Sequence, residues 1–224
     1  MTSRTTRIVL LAAVFALVTS VAGFAQVPCG LPNEIYCQAY DGSGNLFASQ
    51  NDTNNGGSGN FATVYDTFTL SKTWDVESFH FVGGYFNGGP PPFVSAFTLT
   101  FYNDNGGIPG NPIATGSFTN FNEVSLGNQI YSYDLFFGSF DMAPGTYWAS
   151  VVPDLGFPPQ WGWAEGSGPG LGYQCFFGTC GPLGVSLAFA LDGTVVSTTP
   201  EPSTLIMLGT GILGLAGTLR RKLF

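Results

Sequence analysis

The chain has 224 residues with 14 acids, six bases and one histidine, a net charge of −8, and an aromatic content of 15%. Five of the six bases lie in the first seven or last five positions, so residues 26–198 carry thirteen acids against Lys72 alone. Such a surface repels phosphate, which excludes nucleic acid as a partner, and a single histidine leaves little room for histidine-dependent catalysis.

Arg4 and Arg7 precede an apolar run from Ile8 to Val18, with Gly23 and Ala25 at the −3 and −1 positions of a cleavage site before Gln26. This is the pattern of a secretory signal peptide, predicted over residues 1–25. Residues 26–198 then make up one domain's length of chain. Within it Phe97, Leu99 and Phe101 alternate with threonines, and Tyr131, Tyr133, Leu135 and Phe137 alternate with Ser132 and Asp134. Val185, Leu187, Phe189 and Leu191 alternate with Ser186, Ala188 and Ala190. A period of two rich in aromatic residues predicts strands with one buried face. The change of parity from Trp74 and Val76 to Phe79 and Phe81 predicts a bulge near Glu77–Ser78.

Turn chemistry separates the runs at Gly83–Gly84, Gly88 to Pro92, Asn105 to Gly107, Pro144–Gly145 and Asp192–Gly193. Asp41 to Asn60 reads as a long surface loop or an irregular edge. No stretch sustains a helical period. The expected fold is all-β, an antiparallel two-sheet sandwich of jelly-roll type with about eight to ten short strands. Four cysteines fall as two close pairs, Cys29/Cys37 and Cys175/Cys180. Three connectivities are open, of which local pairing is the simplest, and an exported domain favours disulfides over free thiols. With His80 in a strand and no second ligand type nearby, the cysteine spacing does not point to zinc.

After residue 198 the composition changes. Ser203 to Leu219 is apolar and uncharged, 17 residues or about 25 Å of helix, and Arg220, Arg221 and Lys222 follow it. The basic cluster stays cytoplasmic, so a transmembrane helix over 203–219 with a basic tail is predicted, the domain lying outside. The order Pro200-Glu201-Pro202, short Gly-rich span, Arg220-Arg221-Lys222 resembles the PEP-CTERM sorting signal, here covering residues 199–224. Thr199 stands where valine is common in that family. The resemblance implies an exosortase-type partner that cuts near Pro-Glu-Pro and delivers the protein to the cell surface or the exopolysaccharide matrix. A plain membrane-anchored surface adhesin is the alternative. The stretches Phe101 to Gly110, Gly145 to Trp148 and Trp161 to Trp163 resemble β ectodomains that accompany this signal, which implies a fold and no activity.

Few residues invite chemistry. Asp41, Ser43, Asn45 and Asp52 have the spacing of calcium ligands, with Asp52 twelfth from Asp41, but Leu46 stands where such a loop needs glycine. Trp161 and Trp163 share one strand face, so they either stack on sugar rings or fill the core. His80, between Phe79 and Phe81, is expected at a surface or sheet edge rather than in a catalytic site. No two of the thirteen acids are marked as a glycosidase pair. The expectation is a non-enzymatic surface or matrix protein that binds exopolysaccharide and needs no cofactor. The competing class is a secreted carbohydrate-active enzyme on the same scaffold.

Overall fold

A computed structural model describes residues 28–88 and 94–196. The signal segment 1–25, the span 203–219, the residues Pro200, Glu201 and Pro202, the cluster Arg220, Arg221 and Lys222, and most of the turn Gly88 to Pro92 lie outside those residues. Among the described residues no helix is long and apolar enough to cross a membrane. The described chain is all-β, with fifteen strands in two sheets.

The first sheet runs β14 (Ser186–Leu187), β11 (Gln160–Ser167), β1 (Glu34–Tyr40), β15 (Phe189–Val195), β5 (Trp74–Phe86), β9 (Ile130–Met142) and β8 (Asn122–Gly127), with β2 (Leu46–Ala48) also on β11. The second runs β13 (Thr179–Pro182), β12 (Tyr173–Phe176), β4 (Gly59–Leu70), β3 (Gln50–Asp52), β10 (Gly145–Leu155), β6 (Ala96–Asp104) and β7 (Pro109–Phe118). All pairs are antiparallel except β3 with β10, which is parallel. Asp41 to Asn60 is therefore not one loop: β2, β3 and the start of β4 lie in it, and the chain passes from one sheet to the other between Ala48 and Gln50.

The sheets face each other through aromatic rings. Phe79, Phe81, Tyr133, Trp161, Trp163 and Phe189 of the first sheet meet Phe68, Phe97 and Phe101 of the second in one buried cluster. Phe79 stacks on Phe189 at 5.3 Å and Phe81 on Tyr133 at 5.0 Å, while Phe81 meets Phe97 edge-on at 5.1 Å. Separations of this size are the favoured range for aromatic pairs.

The parity change in β5 is a bulge, as its pattern predicts. Against β15, Ser78 faces Asp192 and Val76 faces Gly193, so Glu77 is the extra residue. Asp192–Gly193 is thus not a turn but the seat of that bulge. A Cβ at Gly193 would lie 2.1 Å from the Asp75 carbonyl oxygen, so the close approach requires glycine. Gly83–Gly84 is not a turn either. Both residues lie inside β5, and a Cβ at Gly83 would meet Trp161 Cζ2 at 2.1 Å. The dipeptide reads as a turn but serves as a bed for the indole.

The one-faced pattern also fails for β15. Ala190, and Ala188 just before the strand, are buried as fully as Phe189. Ala188 joins Val82, Ala164 and Ile130 in a second small cluster against which Tyr40 and Leu46 pack.

Buried polar groups tie the sheets together. Asp66 of β4 accepts hydrogen bonds from Gln38 Nε2 of β1 at 3.0 Å, from its neighbour Thr67 N–H at 2.6 Å, and from Leu187 N–H of β14. Gln38 Oε1 accepts from Gly170 N–H at 2.9 Å. Gln50 of β3 does the same elsewhere, donating to Leu155 and Pro159 carbonyls and accepting from Trp161 N–H. Burial outweighs the three donors at Asp66 and pushes its carboxyl up to about 7.

Two predictions follow from this packing. Trp161→Ala should cost about 3–5 kcal/mol, the usual effect of emptying a large buried aromatic site, and Gly83→Ala about 1–3 kcal/mol by overpacking, both read by denaturant unfolding. For Asp66 the folded protein holds its proton more tightly than the unfolded chain. Its contribution to stability is therefore fully present below about pH 4 and is lost as pH rises through about 7. Unfolding free energy measured from pH 4 to 8 should fall more in the native protein than in Asp66→Asn, and parallel profiles would refute the assignment.

Candidate functional site

Both cysteine pairs are local disulfides, Cys29–Cys37 and Cys175–Cys180. The first ties the start of the described chain to β1. The second crosses the β12–β13 hairpin between directly paired residues. Glu34 lies beside the first pair, but its sulfurs are bonded to each other and Glu34 Oε2 accepts Gly30 N–H at 2.7 Å.

Trp161 and Trp163 are fully buried on β11. The Trp163 indole N–H donates to the Ala188 carbonyl at 2.9 Å. Neither ring offers a face to a sugar, and of the two readings of this pair the core has it. The physical reason is the glycine at position 83, which lets β11 press its rings between the sheets.

The calcium spacing does not close into a loop. Asp41 Oδ1 accepts Ser43 N–H at 2.9 Å, Ser43 Oγ accepts Asn45 N–H at 3.1 Å, and Asn45 Nδ2 donates to Glu165 at 2.8 Å. From Leu46 to Asp52 the chain is mostly extended through β2 and β3, about 20 Å at strand rise, which carries Asp52 away from the other three. Asp52 organises a different place. Its carboxylate accepts from Phe157 N–H at 3.0 Å, Ser58 N–H at 2.9 Å and Asn54 N–H at 3.1 Å, and these bonds hold it below the usual carboxylate range.

His80 is not at a sheet edge. It lies in β5 between β15 and β9, nearly buried, with Nδ1 2.7 Å from Asp134 Oδ1 and Nε2 2.7 Å from Ser78 Oγ. Strand register makes the line: Asp134 pairs with His80, and Asp192 pairs with Ser78 and accepts its hydroxyl proton. Hydrogen bonds from His80, and behind them Asn122, outweigh burial and hold Asp134 low. The order Asp–His–Ser is that of a nucleophile relay, yet Ser78 is 1% exposed and its oxygen points at a second carboxylate. An oxyanion would form against Asp192 rather than against donors, which opposes acyl transfer. The line is a polar seam on the outer face of the first sheet.

A surface feature absent from the sequence reading lies at one end of the sandwich. Phe157, Phe176 and Phe177 are 43%, 40% and 64% exposed and gather around Phe61. Phe177 stacks on Phe61 at 5.1 Å and stands at 86° to Phe176 at 5.0 Å, so the rings form a corner. With Ser58 and Gln160 they line a notch of about 140 Å³. Phe177 and Gly178 turn the β12–β13 hairpin with φ of +45° and +79°, the two positive values a type I′ turn demands. An aromatic residue there costs about 1–2 kcal/mol relative to glycine, a local strain of the kind found at functional positions. The signal in the sequence is Phe176-Phe177-Gly178 bracketed by two cysteines, but Phe157 and Phe61 join it only through the fold.

Two disulfides suit a domain that works in an oxidising exterior. Residues 198–222 match the PEP-CTERM protein-sorting motif. The chain therefore carries the sorting signal of an exosortase substrate, directed to the cell surface or beyond. No curated protein and no solved structure matches the chain.

Replacing Asp52 with Ala removes the acceptor for three backbone N–H groups and should lower the melting temperature by roughly 2–4 °C at neutral pH. Because the Asp52 carboxyl sits low in the fold, its contribution is present above its unfolded value near pH 4 and disappears as pH falls through the lower folded value. The difference between native and variant melting curves should shrink toward pH 2. A difference that persists there would count against the carboxylate as the anchor.

Proposed function

We propose that this is a non-enzymatic protein of the cell surface or exopolysaccharide matrix, exported through a cleaved signal peptide and held as a membrane-anchored precursor until an exosortase-type enzyme processes it. One observation carries the reading. The sorting motif begins at residue 198, three positions past Val195, where the final strand of the β domain ends. Processing at Pro200–Pro202 would release the whole sandwich with no strand lost. The apolar span 203–219 and the cluster Arg220, Arg221, Lys222 would remain on the membrane side.

Affinity for exopolysaccharide is the proposed role of the released domain. The described surface supports it with exposed aromatic rings, uncharged polar neighbours and two disulfides suited to an oxidising exterior. A carbohydrate-active enzyme would instead need two carboxylates facing one cleft. The buried Asp66 is committed to Gln38, Thr67 and Leu187, and Asp134 and Asp192 are committed to the His80 seam.

Mass spectrometry of the protein's two ends in each cell fraction tests the sorting half. The mature form should lack Arg220 to Phe224, and Glu201→Ala should accumulate in the membrane with the basic tail attached. An intact C-terminus recovered from cells that possess the sorting enzyme would overturn it.

A further inference from the structure

We propose that the corner formed by Phe157, Phe176 and Phe177 binds an uncharged, gluco-configured pyranose chain, presented at the pole of the domain opposite the end of β15. The proposal rests on the matrix reading above and names the site and the ligand class.

The position follows from topology. β15 ends at Val195, paired with Trp74, and Val196 N–H donates to the Thr73 carbonyl, so the chain leaves the domain beside the β4–β5 turn. From Val195 to Pro200 at most about 17 Å of extended chain is available. β4 runs away from that pole: Leu70 stands beside Gly145 near the exit, and Phe61 is nine residues back, about 30 Å at strand rise. β5 gives the same answer, running from Trp74 at the exit to Phe86 opposite Gln160, about 40 Å. Phe61, Gln160 and the hairpin tip therefore share the far pole.

The chemistry of the corner selects the ligand. Gluco-configured rings place their hydroxyls equatorially and leave C–H faces that pack on an aromatic plane. Two rings at 86° offer one plane for that face and a second for the ring's edge. The Ser58 hydroxyl at the rim can exchange hydrogen bonds with sugar hydroxyls, and no Lys or Arg lines the notch to attract an anion. With thirteen acids and only Lys72 in residues 26–198, an anionic polysaccharide or lipid headgroup is repelled, and Lys72 lies in the turn at the opposite pole.

Self-association fits poorly. Three Phe rings about half exposed offer roughly 300 Å², given about 150–250 Å² per aromatic side chain, against the ~800 Å² per partner of a stable interface. The corner is also prearranged. Asp52 and Asn54 fix the Phe157 backbone from both sides, and Phe177 N–H donates to the Phe61 carbonyl at 2.7 Å. Little ordering is left for a ligand to impose.

The test uses the exported protein as cells deliver it, in native form and as Phe177→Gly. Glycine suits the φ of +45°, and the relief of that strain offsets the lost stacking on Phe61, so this variant should fold with a melting temperature close to the native one. Retention is measured on cellulose, on a β-1,3-glucan gel and on alginate, with flotation on phosphatidylcholine–phosphatidylglycerol vesicles and sedimentation for oligomeric state. Retention of the native protein on a neutral glucan, about tenfold weaker in the variant, is the expected result. Equal retention of both proteins would overturn the site while leaving glycan binding intact, and would send the ligand to the half-buried Tyr65, Tyr102 and Tyr173 on the second sheet. Retention only on alginate would overturn the neutral ligand. Vesicle binding or a dimer that Phe177→Gly abolishes would overturn the glycan as occupant. Native protein that passes through every polysaccharide would defeat the glycan-binding reading itself, with the sorting result standing apart.

Discussion

Trp161 lying across Gly83 fixes how the first sheet is assembled. The indole occupies the space where any side chain on residue 83 would stand, so β11 and β5 can pair only with their rings turned inward. That places Trp163 against Phe79, Phe81 and Phe189, at 5.7 to 6.4 Å, and so sets β15 beside β5 as well. A slip of one residue would turn Phe79 and Phe81 to the outer face and leave the indoles without partners. The sequence has no electrostatic alternative. With one base in the domain, the ion-pair contacts among the described residues are those of His80 with Asp134 and Asp192. Apolar burial has to supply the cohesion, and aromatic pairs add roughly 0.5–1.5 kcal/mol each beyond their area.

Aromatic packing alone is tolerant of small shifts, and the buried amides supply what it lacks. Gln38 bridges Asp66 to the Gly170 backbone, and Gln50 bridges Leu155 and Pro159 to Trp161. Each bond is directional, and each would leave a buried polar group unpaired if the sheets slid. A half-satisfied network costs more than an apolar contact, so these residues penalise wrong registers more than they stabilise the right one. The price is a carboxyl at Asp66 that burial holds far above its ordinary value.

The features legible in the sequence were those set by near neighbours. Alternation of Phe97, Leu99 and Phe101 gives β6, and the parity change at Glu77 gives the bulge, because side-chain period and bulges are local properties of one strand. The short cysteine spacings favour local pairing for the same reason. Gly83–Gly84 and Asp192–Gly193 misled because glycine marks both turns and close approach, and the atoms approached, Trp161 and the Asp75 carbonyl, belong to other strands. His80 reads as a surface or sheet-edge residue because Phe79 and Phe81 take the core face of its strand. Its partners Asp134 and Asp192 arrive through register across 54 residues in one case. The aromatic corner was illegible on the same grounds, since Phe61, Phe157 and Phe177 come from three elements that only the sheet order brings together.

The separation of the two poles follows from chain routing rather than from distance along the sequence. Phe177 is only 21 positions before residue 198, where the sorting motif begins. β15 intervenes, carrying the chain from Phe189 back along β5 to Trp74. That strand is paired on both sides, with β1 and β5, and contributes Phe189 and Leu191 to the core. It is thus anchored over its own length before the motif starts. The hairpin that holds Phe176 and Phe177 is therefore separated from the end of β15 by a strand that is itself part of the core.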